Sequence, residues 1–199
     1  MKSLAILMSF FSISVFAQTA LVDGKYNIDP AHTRVGFEIG HFVFSKVQGR
    51  FNEVSGTFDI SRDLKKCNLS VTIPVSSIDT AVAQRDTHLK SADFFDAGKF
   101  PQMTFKSKKC SGTLEDLKIV GDLTIKGVTR EITMDAEYQG SAKDPWGNQR
   151  AAFTADFEVK RSDFKFKFNE MMELGPQVGD KVEVELISEM TLDQGKPKK

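Results

Sequence analysis

Most of the chain alternates between apolar and polar residues, the pattern of β-strands that bury one face. The alternation predicts about eight strands, two of them over residues 33–43 and 49–60. The residues that share the apolar face of each strand are Val35, Phe37, Ile39 and His41; Val54, Gly56, Phe58 and Ile60; Leu69, Val71, Ile73 and Val75; Met103 and Phe105; Ile119, Gly121, Leu123 and Ile125; Ile132, Met134, Ala136 and Tyr138; Ala151, Phe153, Ala155, Phe157 and Val159; and Val182, Val184, Leu186, Ser188 and Met190. Strands of this kind do not form a two-sided parallel sheet.

Strands with one buried face close into an antiparallel barrel or stack as a sandwich. The interior of an up-and-down barrel of about eight strands has room for side chains or for one elongated ligand, as in lipocalins. Small residues in the inward rows, such as Gly56, Gly121, Ala136, Ala151, Ala155 and Ser188, are expected to leave room there. A sandwich, or a barrel filled by its own side chains, stays open on the pattern alone.

The segment over residues 80–97 is the one long stretch that does not alternate. Four residues in and before it recur at helical spacing: Ile78, Val82, Arg85 and Leu89. Asp79 or Thr80 is placed to cap this helix, and Ser91 to cap a second short one. A helical insert in a β chain is commonly a lid or a plug. The mixture of charged and apolar residues in this one predicts an apolar throat with a polar rim.

The first residues are typical of a cleaved signal peptide: Lys2, an apolar run over residues 4–16, and a cleavage site ending at Ala17. The run is too short to span a bilayer comfortably, and we expect no transmembrane span. We therefore expect a periplasmic or secreted protein whose residues 18–199 form one domain. The alternative is an N-terminal hydrophobic helix in the core.

Charge and aromatic content narrow the function further. The chain has 27 basic and 27 acidic residues, and removing Lys2 leaves 26 against 27. A balance this close to neutral argues against a nucleic-acid partner, which requires a basic face. Seventeen phenylalanines accompany two tyrosines and one tryptophan. This composition suits either an apolar cavity wall or an ordinary phenylalanine-rich core.

Cys67 and Cys110 are the two cysteines. Pairing residues 69–75 with residues 103–109 brings the two cysteines opposite each other, but they are out of phase unless a bulge lies near Lys108 and Lys109. A disulfide therefore stays open. No CxxC motif or neighbouring histidine supports a metal site.

Other polar residues are candidates for chemistry. His32, His41 and His88 are too scattered to indicate a metal site by spacing. A nucleophile could be sought at Thr87 or Ser91 beside His88, but no nucleophile elbow is present. The Arg85-Asp86 and Arg161-Asp163 pairs are typical of solvated surface, or of a buried arginine at the barrel end that holds a ligand head group or locks the lid. Trp146, in a proline-glycine turn, is expected to plug the far end of the barrel, with a contact at the rim as the alternative.

Several motifs together resemble the YceI-like family of polyisoprenoid-binding proteins. They are, in order, Y-x-I-D-x-x-H-T-x-V-x-F from Tyr26, T-x4-R-D-x-H-L-x-S-x-D-F-F-D from Thr80, G-x-L-T-I-x-G-V-T from Gly121, K-D-P-W-G from Lys143 and R-x-D-F from Arg161. The resemblance covers the chain from Tyr26 to the last strand. It implies an all-β, lipocalin-like barrel and histidines at the mouth.

Taken together, the barrel and the resemblance predict an exported carrier that holds a long isoprenoid-type chain, polyprenyl or quinone-like, and neither an enzyme nor a cofactor-dependent protein. We expect the ligand to contact the cavity wall at Val35, Phe37, Ile39, His41, Phe58, Leu69, Val71, Ile73, Met103, Phe105, Leu123, Ile125, Phe153, Phe157 and Val184. We expect its head group near His32, Arg85, His88, Leu89, Phe94 and Arg161. The alternative is a small barrel enzyme or a quinone or redox protein that uses the mouth histidines. A homodimer is compatible with the sequence, which offers no direct sign of one.

Overall fold

The computed structural model describes residues 20–42, 44–167, 171–172 and 175–195. The predicted signal segment lies outside these residues. Within the described ranges, no helix is long and apolar enough to cross a membrane.

Strands make up most of the described chain, with one short α-helix and two 3₁₀ turns. The strands are β1 Gly24–His41, β2 Ser45–Phe51, β3 Ser55–Ile60, β4 Cys67–Pro74, β5 Ile78–Asp79, β6 Gln102–Gly112, β7 Leu117–Ile125, β8 Val128–Lys143, β9 Gln149–Lys160, β10 Met171–Met172, β11 Gly175–Pro176 and β12 Val178–Leu192; the helix α1 is Ala83–Lys90, and the 3₁₀ turns are Val75–Ser77 and Arg161–Phe164.

The strands form a closed antiparallel barrel, which confirms the predicted fold class. Neighbours in the sheet follow the order β12-β9-β8-β7-β6-β4-β3-β1, and β1 also pairs with β12, so the sheet closes on itself. Because strands that neighbour in space also follow one another along the chain, the topology is up-and-down. A closed sheet leaves no edge along these strands.

Two of the barrel strands are interrupted. The long β1 pairs first with β3 and then with β2, so these two short strands share one position in the barrel. The prediction of one unbroken strand over residues 49–60 is therefore wrong: residues 52–54 are not in a strand. The interruption reverses the alternation, because Phe51 and Val54 are both buried although three positions apart. β4 and β5 are separated in the same way by the 3₁₀ turn Val75–Ser77.

Cys67 and Cys110 form a disulfide between β4 and β6. Strand β6 bulges between Ser107 and Lys109, where its register with β7 shifts. This is the bulge that the pairing required. The hydroxyl of Ser107 accepts a hydrogen bond from the Leu69 amide at 2.7 Å and donates one to the Cys67 carbonyl at 3.1 Å. The serine side chain thus links the two strands where their direct backbone pairing ends.

The helical insert follows β5 at one end of the barrel, and only one of its two predicted helices forms. α1 begins after Val82, which provides no side-chain cap. Asp86 instead reaches back from the first turn and accepts a hydrogen bond from the Thr80 amide at 2.9 Å. The segment after Ser91 is a series of turns, because the Ser91 carbonyl accepts from the amides of Phe94 and Asp96 rather than starting a helix.

The opposite end of the barrel is closed by the lead-in to β1. Leu21 is 2% exposed and Tyr26 is fully buried. The Ser141 hydroxyl, near the end of β8, donates to the Ala20 carbonyl at 3.2 Å, so the lead-in crosses the base. Trp146 does not plug this end as predicted: it is 82% exposed, because its turn is held by Asp144 and points its ring to solvent.

Two of the small inward residues do not leave space. A Cβ atom at Gly121 would lie 2.4 Å from the Lys106 carbonyl oxygen and 2.5 Å from the Phe105 ring. One at Gly56 would lie 2.2 Å from the Ser70 carbonyl oxygen. These glycines allow close approach of neighbouring strands and rings. The expectation that they widen the interior is wrong.

Candidate functional site

An apolar chamber of about 290 Å³ lies inside the barrel at the end covered by the helical insert. Strands β1, β2, β4, β6, β7, β9 and β12 form its wall, and α1 with the turns after it forms its cover. The predicted wall residues that line it are Val35, Phe37, Ile39, His41, Ile73, Met103, Leu123, Ile125, Phe157 and Val184. Alternation along each strand turns these side chains inward.

A second, deeper void of about 80 Å³ continues toward the base. Val35, Ile73 and Phe157 line both spaces and therefore stand between them. The remaining predicted wall residues line this lower void: Phe58, Leu69, Val71, Phe105 and Phe153. The upper chamber alone is close to the smallest ordinary ligand site, which is about 300 Å³, and the lower void extends it along the barrel axis.

Below the lower void the interior is filled. The Phe58 and Tyr138 rings both pack against Phe153, with centroids 5.3 and 5.4 Å apart. Ile60 and Leu117 are fully buried at this level. The barrel is therefore solid at its base and vacant toward the helical end, so a ligand would enter from the helical end.

Arg85 fastens the helical insert to the rim of the chamber. Its Nε atom donates to the Thr80 hydroxyl and its Nη2 atom to the Thr80 carbonyl, each at 2.7 Å. The Thr80 hydroxyl in turn donates to Asp86. Thr80 is 5% exposed, so this polar group is enclosed and satisfied internally. Arg85 lines the chamber as predicted, and of its two predicted roles its hydrogen bonds to Thr80 fit the one that locks the cover in place.

Arg161 is a buried cation in the chamber wall. It is 9% exposed, its Nη1 atom donates to the Gly179 carbonyl at 3.2 Å, and its guanidinium carbon lies 5.8 Å from the centre of the Phe94 ring. Burial lowers the pKa of Arg161, and nearby Asp180 opposes the shift. A guanidinium in apolar surroundings is suited to bind a polar ligand group, because its planar N–H groups are weakly hydrated and can donate hydrogen bonds to it.

The structure places two of the three histidines at the chamber. His41 and His88 line it, and the His88 Nε2 atom is 3.0 Å from Asp93. His32 does not reach the mouth: its Nδ1 atom is 2.9 Å from Asp29, on an exposed bulge of β1. The prediction for His32 is wrong because this part of β1 lies toward the base of the barrel, where His32 is 3.4 Å from Arg150. Among the described residues, no three histidine, cysteine, aspartate or glutamate side chains form a group suited to a metal ion.

Aromatic residues of the insert pack onto the barrel. Phe95 meets Phe51 and Phe166 edge to face, with ring centroids 6.0 and 5.0 Å apart. Phe94 packs against His88 at 5.0 Å. Leu89 and Phe94 line the chamber as predicted. The cover is thus held by rings as well as by the Arg85 hydrogen bonds.

The predicted site lacked several chamber residues, among them Phe51 and Gln177. Phe51 was out of phase with its predicted strand, and only the break before β3 turns it inward. Gln177 lies outside every alternating row, and no local pattern marks it.

The pattern that defines the YceI-like domain matches residues 26–190. The chain belongs to the YceI-like family. The protein named YceI from Escherichia coli is 38% identical over 179 residues, which cover 88% of this chain and 91% of that protein.

Solved structures share the barrel. A YceI protein from Campylobacter jejuni is 37% identical, with a TM-score of 0.66 over 82% of this chain and 95% of that one. A polyisoprenoid binding domain from Saccharophagus degradans, implicated in plant cell wall breakdown, has a TM-score of 0.64 over 84% of this chain and 98% of that one. That domain is 14% identical and supports the fold alone.

Proposed function

We propose that this YceI-like protein is an exported carrier that binds one long apolar chain, of the isoprenoid type, in the upper chamber and the void below it. The observation that carries the proposal is an apolar interior that is vacant toward the helical end and solid at the base. Burial of each CH₂ group contributes about 0.8 kcal/mol, so a chain of several isoprene units binds tightly with little contribution from its head.

Three observations support this reading over a filled barrel or an enzyme. The wall is built from one-sided strands whose inward residues are apolar. The arginines that line the interior, Arg85 and Arg161, both lie at the helical end, where a ligand head would lie. A solved domain with the same fold is described as polyisoprenoid binding, and we extend that ligand class to this chain as a proposal. Export is proposed from the N-terminal segment, and the disulfide is compatible with an oxidising compartment.

The test is lipid extraction from protein purified without denaturation. We expect mass spectrometry of an organic extract to detect a prenyl lipid in a stoichiometric amount. Val184→Trp places an indole in the upper chamber, whereas Ile187→Trp places one on the outer face of the same strand, where Ile187 is 42% exposed. We expect Val184→Trp to lose most of the lipid and Ile187→Trp to retain it.

Circular dichroism and urea denaturation establish that both variants fold. Repeated absence of any prenyl or acyl lipid from the wild-type extract would refute the carrier proposal. Equal lipid content in the two folded variants would place the lipid outside the barrel.

A further inference from the structure

Gln177 carries a buried oxygen atom whose surroundings bear on which ligand the chamber binds. The residue stands immediately before β12, and its backbone carbonyl accepts a hydrogen bond from the Phe42 amide at 3.0 Å. That bond fixes the backbone of Gln177 at the rim, between the end of β1 and the start of β12. Its side chain lines the upper chamber. Among the described residues, its Oε1 atom is the one buried side-chain oxygen or nitrogen without a hydrogen-bond partner.

The hydrogen bonds that Arg85, Thr80 and Arg161 donate at the rim are directed to other acceptors. Arg85 donates to Thr80, and the Thr80 hydroxyl donates to Asp86. Arg161 donates to the Gly179 carbonyl. Buried amide oxygens in folded proteins almost always have a donor, and one that lacks it calls for an explanation. A water molecule can provide the donor while the chamber is vacant, but an apolar chain that enters displaces water from the rim. The polar end of the ligand must then replace it.

We propose that Gln177 selects ligands whose polar end is a hydroxyl group, an alcohol or a phenol, over ligands that end in an ether or a carbonyl. This inference rests on the proposed function and specifies the head group that the same chamber accepts. A hydroxyl both donates and accepts, so it can donate to Oε1 of Gln177. An ether or a carbonyl only accepts, and its lone pairs would face the lone pairs of that oxygen. Sites built to hydrogen-bond a substrate hydroxyl reject analogues that lack it, because the buried group of the site is left unpaired.

The experiment compares two probes with the same chain, farnesol and farnesyl methyl ether, by competition against a fluorescent fatty acid. The extra methyl group favours the ether by partition into an apolar space. A preference for the alcohol therefore has to overcome that trend. We expect the wild-type protein to bind farnesol about tenfold more tightly than the ether. Gln177→Met keeps the length of the side chain but removes the acceptor, and we expect it to lose that preference.

Gln48→Met is the matched control. Gln48 lies on the outer face of β2 and donates to Glu38 at 2.8 Å, so this variant should keep the wild-type preference. The inference is overturned if the wild-type protein binds the ether as tightly as the alcohol. That result would indicate that the amide nitrogen of Gln177, a donor, faces the ligand in place of the oxygen. It is overturned as well if the preference survives in Gln177→Met.

The two proposals can fail separately. Equal binding of both probes refutes the role of Gln177 and leaves the carrier intact, whereas binding of neither probe refutes both. The comparison of probes on the wild-type protein needs no variant, so a folding defect in Gln177→Met does not remove the test.

Discussion

Two polar side chains fasten the closed end of the barrel at the scale of single residues. Tyr26 is fully buried and donates to the Val22 carbonyl at 2.7 Å, which holds the lead-in across the base. Arg150 bridges three segments: it donates to Asp29 on the bulge of β1 and to Glu189 on β12, and its Nη1 atom lies 3.8 Å from Asp144. The base is thus stabilised by directional contacts as well as by apolar packing.

Tyr26→Phe tests the hydrogen bond to the lead-in. Removing the hydroxyl leaves the Val22 carbonyl without this donor, and we expect a loss of about 1 kcal/mol in the free energy of unfolding at pH 7. Burial, with a smaller contribution from Tyr138, raises the pKa of Tyr26 from 10.0 to about 12. As the pH rises, Tyr26 therefore ionises in the unfolded chain before it ionises in the folded protein. The stabilisation that comes from the un-ionised tyrosine is complete below pH 10 and is lost as the pH rises through about 12.

The measurement is urea denaturation of both proteins at several pH values between 8 and about 11.5. The stability of Tyr26→Phe should fall less steeply with pH than that of the wild type. Identical slopes in the two proteins would contradict the burial of an un-ionised tyrosine.

Arg150→Met tests the ion pairs at the base. Burial opposes ionisation of Asp29, but hydrogen bonds from Arg150 and His32 outweigh it and lower the pKa of this carboxyl. The stabilisation is therefore present above the unfolded pKa of about 3.9 and is lost as the pH falls through the lower, folded value. At pH 7 we expect the variant to lose about 1 to 3 kcal/mol, because Asp29 keeps its charge without the arginine.

The loss should shrink at pH 3, where Asp29 in the variant can take up a proton. Arg62→Met is the control, because Arg62 and its partner Asp23 have side chains that are 63% and 47% exposed. An exposed pair of this kind contributes at most about 1 kcal/mol. Equal losses in the two variants would show that the Arg150 contacts are ordinary surface pairs.

At the scale of elements, the strands differ in how they are joined. Most neighbouring strands are held by regular ladders of backbone hydrogen bonds. The direct pairing of β4 with β6 ends at the Ser70–Lys106 pair. Beyond that point the Ser107 hydroxyl and the Cys67–Cys110 bond hold them together. The disulfide therefore holds β4 and β6 together beyond the point where their backbone pairing ends.

Replacing both cysteines by serine should lower the free energy of unfolding by about 4 kcal/mol, because the bond closes a loop of 43 residues in the unfolded chain. Urea denaturation with and without a reductant measures the change. The reductant should destabilise the wild type and leave the double variant unaffected. A reductant effect of the same size in both proteins would show that it acts elsewhere.

The whole molecule combines a solid base with a vacant upper half, and a row of small residues extends the vacancy downward. Ala136 and Ala155 line the lower void from neighbouring strands, directly opposite one another. Here the expectation that small inward residues leave room holds, whereas at Gly56 and Gly121 it does not. This pair therefore contributes to the space into which the end of a bound chain could extend.

Ala155→Leu should therefore shorten the chain that the barrel accepts. We expect a 20-carbon prenyl alcohol to lose about tenfold in affinity, because part of its chain stays in water, and a 10-carbon one to change little. Ala152→Leu, on the outer face of the same strand, is the control. Equal losses for both chain lengths would show that the substitution disturbs the barrel rather than its depth.

Much of this protein was determined by the sequence alone. A strand with one apolar face has a side-chain period of two, so the face of each residue could be assigned from its neighbours in the chain. The inward direction of the predicted wall residues followed from this, whereas the choice of a barrel over a sandwich came from the resemblance to the YceI-like family. The face of Phe51 did not follow from the alternation, because a strand break reverses it locally. The expectation for His32 came from the family resemblance and not from the alternation.

Only the tertiary structure decided where the interior is empty. A void is the difference between the space enclosed by distant strands and the volume of the side chains that meet there. The space beside Gly121 is filled by the Phe105 ring. The base is closed by Leu21 and not by Trp146. Both outcomes depend on contacts between segments far apart in the sequence. The burial of the Gln177 oxygen was also decided by the tertiary structure, because it depends on the strands and the cover around it.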